Sequence, residues 1–254
     1  MRLRRGPQRC ELTTIKSLTS PYKGRGAFLR RTAGSSRLVR LLDNWIPLDA
    51  EPSRQEVAER LGQWLGVHDV VTLHAAQQSI VSGPVAEPVA VATAAELTEE
   101  LRRLRASLQG LISADEPYAQ PDPDAGFAPH HRRYLGQQRR MQGGIDGLRV
   151  RIRQALSVAS PRLAQLAMLD GVMQQLFGAR EQKLLSTVPL FLKERFEQLH
   201  RQQPDALGLV PLPLAWLDTF RRDLQEALLA ELDTRLQPLL GMLSALNSDA
   251  KSQS

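Results

Sequence analysis

The chain of 254 residues has one cysteine, Cys10. A lone thiol excludes an internal disulfide framework and a cysteine-built zinc site. A reducing compartment is its simplest setting, and a cytoplasmic location is expected. Aromatic residues are scarce at 5%, which leaves little for a base-stacking platform. Isoleucine is scarce as well. Apolar content therefore comes chiefly from leucine, a good helix former with few β-branched competitors. Long apolar runs are missing too. The longest covers residues 206–217 and is interrupted by Pro211 and Pro213, short of the about 20 residues a bilayer span requires. Near the N-terminus Arg, Lys and Gly break every apolar stretch, so no secretory signal core of about 7–15 residues forms.

Acids are nearly absent from the first forty residues. Eleven Lys or Arg stand there against one acid, Glu11. The other 214 residues hold 22 bases and 26 acids, so the formal net charge of +6 describes a tail more than a protein. The high charge suggests nucleic acid, but residues 1–34 read as a basic appendage. Gly24, Gly26 and Gly34 break any helical pattern there. A disordered tail, sequence upstream of a true start and a transit peptide all fit.

Beyond the tail the pattern is helical. Leu38, Leu41, Leu42 and Trp45 share one face before Pro47. Ser53 with Glu56 forms a capping box that opens a second helix carrying Val57, Leu61, Trp64 and Leu65. A third short helix is expected from His68 to Ile80. These three make a small unit over residues 35–81. Two prolines and a glycine mark residues 82–93 as a linker. Thr93 with Glu96 is a second capping box, opening a helix with Leu97, Leu101, Leu104, Leu108 and Leu111 facing one way. The Pro- and Asp-rich stretch 115–126 reads as a loop.

Three long helices follow. The first spans about 129–159 with Tyr134, Met141, Ile145, Leu148, Ile152 and Leu156 on its stripe. Gly143, Gly144 and Gly147 are expected to weaken or kink it. Ser160-Pro161 starts the second, which runs to about residue 203 with a bend at Pro189. Its stripe is Leu166, Leu169, Met173, Leu176, Leu184, Val188, Phe191, Phe196 and Leu199. Pro213 opens the third, which lasts to about residue 247 despite Pro238. There Leu217, Phe220, Leu224, Leu228, Leu232, Leu236 and Leu239 recur about every 3.67 residues, which suits a nearly straight bundle helix better than a long coiled coil. The fold class is therefore all-α: a small N-terminal helical unit and a four-helix bundle-like domain over 94–247. Residues 248–254 read as a disordered end.

Sites are few. Glu197 and His200 give one Glu-x-x-His, and di-iron bundles need two. His68 and His74 diverge around a helix, and His130 and His131 point apart. The histidines are expected at the surface. There is no nucleophile elbow and no phosphate-binding loop, and Gly24-Arg25-Gly26 lacks the third glycine of a dinucleotide fingerprint. No cofactor, no metal and no catalytic set is expected. Residues 55–62 resemble the first helix of a helix-turn-helix, but Gln63-Trp64-Leu65-Gly66 continues an apolar face where a recognition helix should begin.

Two surfaces stand out. Seven arginines lie on residues 127–157 against Asp146 alone. Arg132, Arg133, Arg139 and Arg140 share one side, and they would either bind anions or pair with acidic segments around them. The connection from Leu207 to Trp216 is apolar where a bundle tip is usually polar. Leu209, Val210, Leu212, Leu214 and Trp216 would either pack within the chain or anchor a partner.

Several stretches resemble a betaproteobacterial family defined by domain of unknown function 3348. They are Ser36-Arg37-Leu38-Val39-Arg40-Leu41-Leu42, Ala58-Glu59-Arg60-Leu61-Gly62-Gln63-Trp64-Leu65, Arg180-Glu181-Gln182 with Leu184-Leu185 and Val188-Pro189, and Arg195-Phe196-Glu197. The resemblance spans most of residues 35–200 and brings no catalytic residues. It implies a shared part that begins near Ser35, and an accessory role to a bacterial envelope-associated assembly. The expected function is a non-catalytic helical interaction or scaffold protein with a protein partner. The alternative is a nucleic-acid-binding protein that uses the tail and the arginine face.

Overall fold

The computed structural model describes residues 36–45, 66–78, 92–114, 126–202 and 215–252. Regular structure among them is entirely α-helical: α1 (Arg37–Trp45), α2 (Val67–Gln78), α3 (Ala94–Ser113), α4 (Ala128–Ala159), α5 (Pro161–Leu185), α6 (Val188–Arg201) and α7 (Ala215–Ser252). The basic tail, the helix expected from Ser53, most of the 82–93 linker and the 115–125 loop lie outside the described residues.

Local chemistry sets the boundaries. The Ser36 hydroxyl accepts from the Val39 amide at 3.3 Å and starts α1. Thr93 Oγ1 accepts from the Glu96 amide at 3.2 Å, and Glu96 Oε2 accepts from the Thr93 amide at 2.7 Å. This is the reciprocal box read from sequence, and it satisfies donors that a helix start leaves open. Gly126 takes φ 60°, a left-handed turn that leads into α4 and that a side chain would strain.

α4 runs unbroken through its glycines. Gly144 has a packing role instead, since a Cβ there would sit 2.9 Å from Leu104 Cδ1. Helix α7 likewise continues through Pro238 and extends to Ser252, so residues 248–252 are helical rather than a disordered end.

The long helix expected from 160 to 203 is two helices. Proline lacks the N–H that a continuous helix needs, and the break falls at Ser186-Thr187, just before Pro189. There Ser186 Oγ donates to the Lys183 carbonyl at 2.7 Å, and Thr187 Oγ1 to that of Leu184 at 2.7 Å. The last carbonyls of α5 are thereby satisfied, and Pro189 falls in the first turn of α6, where its missing N–H costs nothing.

Helices α3, α4, α5 and α7 form the bundle, with α6 folded back onto α7. α4 packs between α5 and α7, α1 lies on α7, and α2 lies along α5. One core joins Leu38, Leu42 and Trp45 of α1 to the bundle interior. The α7 stripe from Leu217 to Leu239 is buried throughout, as is the α4 stripe. On α3 the buried position is Ile112, while Leu111 faces solvent. Both stand one turn beyond Leu108, and the neighbouring helices cover the former.

Candidate functional site

The core contains a polar cluster that an apolar stripe does not foretell. Glu231 on α7 is fully buried. Its carboxylate accepts from the Tyr134 hydroxyl at 2.6 Å, from Gln138 Nε2 at 3.0 Å and from Arg235 Nε at 2.9 Å. Arg235 Nη2 stands 2.8 Å from the same Glu231 oxygen as an ion-pair contact. Gln138 Nε2 also reaches the Leu185 carbonyl at 3.3 Å, which ties the end of α5 to the cluster. Two pairs four residues apart, 134/138 and 231/235, thus face each other across α4 and α7. Burial, then the neighbouring Glu231 charge, raises the Tyr134 hydroxyl well above its ordinary pKa, so it stays a donor. The Tyr134, Gln138 and Arg235 Nε donors all converge on the one carboxylate, while Arg235 Nη2 makes no hydrogen bond among the described residues, and the arrangement fixes the register of α4 against α7.

At the α6 end of the bundle lies an aromatic cluster. Phe196 packs edge-on against Phe220 at 5.0 Å and against Trp216 at 5.2 Å, and His200 meets Trp216 at 5.2 Å. Trp216 is therefore half-buried within its own chain rather than projecting as an anchor. Leu209, Val210, Leu212 and Leu214 lie outside the described residues. His130 is buried against Phe220 at 5.0 Å, contrary to the surface position expected from sequence. Burial, with Arg221 and Arg133 nearby, lowers its pKa to about 4. Among the described residues no group of His, Cys, Asp and Glu could hold a metal ion.

The arginine face divides. Arg149 grips Asp170 through Nε at 2.9 Å and Nη2 at 2.6 Å, and Arg153 bonds Gln174 at 2.6 Å. Arg151 pairs with Glu100. Arg133 is spent on the end of α3, donating to the carbonyls of Ile112 at 3.2 Å and Ala114 at 3.0 Å, so it leaves the anion-binding set. Arg132, Arg139 and Arg140 remain exposed, without an ion pair among the described residues.

The sequence also missed a groove. Leu166, Leu169, Leu176 and Phe177 of α5 are half-buried and Met173 is exposed. Between Ala167 and Leu185 no α5 side chain is buried. The gap between α5 and α7 holds two adjoining cavities, of about 490 and 530 Å³, that share Leu166 and Leu169. Together they run from Arg162 to Glu181, roughly 28 Å of helix. Met242 and Pro238 of α7 line the far wall.

The model of the family described as "Protein of unknown function (DUF3348)" matches residues 27–248. The chain belongs to this family. The DUF3348 match takes in α1 through most of α7 and starts ahead of the Ser35 boundary implied by the sequence resemblance. No curated protein and no solved structure matches the chain. The polar cluster, the exposed arginines and the groove lining except Asp249 fall inside the DUF3348 region.

Proposed function

We propose that this DUF3348 protein is a non-catalytic helical interaction protein that holds a partner in the groove between α5 and α7. The observation that carries this reading is the α5 stripe. Leu169, Met173, Leu176 and Phe177 recur at helical spacing, yet none is buried. A stripe of that width normally faces a core. Left open and rimmed by Arg149, Asp170 and Glu181, it has the apolar floor and polar edge of an interface. The reading places the protein in the cytoplasm of a bacterium as an accessory to an envelope-associated assembly. No described helix is long and apolar enough to cross a membrane.

The test is a photo-reactive side chain at Met173 in the native host, with the same group at exposed Ser107 of α3 as control. A defined adduct from position 173 that is lost when Leu169 and Phe177 become Asp supports the groove. Equal labelling from both positions sinks it.

Arg132, Arg139 and Arg140 favour a second reading, nucleic-acid binding. Neutralising phosphates makes affinity fall steeply with salt. Replacing Arg139 and Arg140 with Ala should flatten that dependence by about two units of slope. An unchanged slope removes these residues from the argument.

A further inference from the structure

A cavity of about 730 Å³ opens between α1, α3 and α7, and Pro238 is the one residue it shares with the lining of the α5–α7 groove. We propose that it binds a small amphipathic oxyanion, a carboxylate or phosphate head carried on an apolar body.

The head site is built from two helices that converge on a third. Arg105 of α3 donates from Nη2 to Asp233 Oδ1 at 2.8 Å. Arg37 of α1 brings Nη1 to 3.8 Å from the other Asp233 oxygen, close enough for charge pairing and too far for a hydrogen bond. Two guanidiniums share one carboxylate, so the cavity carries a surplus positive charge. Each guanidinium has five N–H donors, and among the described residues Asp233 takes one hydrogen bond from Arg105 and none from Arg37. The remaining donors suit the paired oxygens of a carboxylate or phosphate. Both arginines stay about half-exposed, at 52% and 44%, so a ligand reaches them from solvent.

The body site lies beside them. Pro238 and Leu240 form an apolar wall, with Leu240 40% exposed. Proline supplies no N–H to close the helix turn back to Thr234, which also lines the cavity. Asp233 is an internal competitor for the ligand head: it occupies the place of an oxyanion and lowers affinity until it is displaced.

Titration calorimetry on the full chain tests the proposal with three probes: decanoate, decyl phosphate and inorganic phosphate. Decanoate or decyl phosphate should bind at least tenfold more tightly than inorganic phosphate, and the better of the two identifies the head. Arg37→Ala with Arg105→Ala should weaken binding at least tenfold. Asp233→Asn should tighten it severalfold, an effect that a merely structural ion pair would not produce. Arg139→Ala with Arg140→Ala should leave affinity unchanged, which separates this cavity from the exposed arginine face. The proposal is overturned if neither decyl probe binds, if the Arg37/Arg105 change leaves affinity intact, or if Asp233→Asn weakens binding in a folded protein. Should Asp233→Asn fail to fold, as circular dichroism would show, the arginine variants decide.

Discussion

Replacing Glu231 with Ala should cost this fold more than removing any single exposed charge. The side chain is fully buried and satisfies three buried donors: the Tyr134 hydroxyl, the Gln138 amide and Arg235 Nε. Arg235 is itself only 8% exposed at its side chain. Truncation leaves a buried cation with no counter-charge and two neutral donors with no acceptor. Each unsatisfied neutral donor costs about 1–3 kcal/mol, and breaking a buried ion pair from one side costs about 3–5 kcal/mol. These overlap, because water entering the space would serve several groups at once, so about 4 kcal/mol is the expected loss. For a chain of this size that corresponds to a fall in Tm of about 8–16 °C. Urea unfolding followed by circular dichroism measures it. A cycle with Tyr134→Phe adds a second reading: the two changes together should cost at least about 1 kcal/mol less than their sum. A Glu231→Ala protein within about 1 kcal/mol of the parent would refute the reasoning, because it would mean that the cluster is hydrated or loosely packed.

Two further predictions concern stability. His130 has a folded pKa of about 4, below its ordinary value of 6.5, so protonation favours the unfolded chain. Stability should therefore be intact above pH 6.5 and fall as pH drops toward 4, by about 2 kcal/mol at pH 5; His130→Gln should flatten that part of the urea-midpoint profile. A Cβ at Gly143 meets nothing within 4 Å, whereas one at Gly144 meets Leu104 Cδ1 at 2.9 Å. Gly143→Ala should thus stabilise by about 0.5–1 kcal/mol through helix propensity, and Gly144→Ala should gain less because Leu104 must move; equal gains in thermal melts would remove the packing role given to Gly144.

Sequence pattern revealed the helices where one face is continuously apolar. The Thr93/Glu96 box, the Tyr134–Leu156 stripe and the Leu217–Leu239 stripe are all as read. It failed where polar groups enter a stripe. Gln138 falls between Tyr134 and Met141, and Glu231 sits beside Leu228 and Leu232. Those positions were a signal, since a core register that includes Gln and Glu must pair them. The division of α5 from α6 depends on hydroxyls at Ser186 and Thr187 that compete for carbonyls, which hydrophobic spacing cannot weigh. Arg133, Arg149 and Arg153 looked like a surface array because their acceptors lie on α3 and α5, distant in sequence. The groove was hidden for the opposite reason: its leucines fit a core pattern, and the cavities between α5 and α7 leave them only partly covered.

The mass of the native complex tests the central claim most directly. Isolated from its own host under mild conditions, the protein should run in native mass spectrometry well above its 28.3 kDa chain mass, and Leu169→Asp with Phe177→Asp should return it to the chain mass while it stays folded. A parent protein found alone at the chain mass, or a complex that survives both substitutions, would contradict the assignment of the α5–α7 groove as the surface through which this protein works.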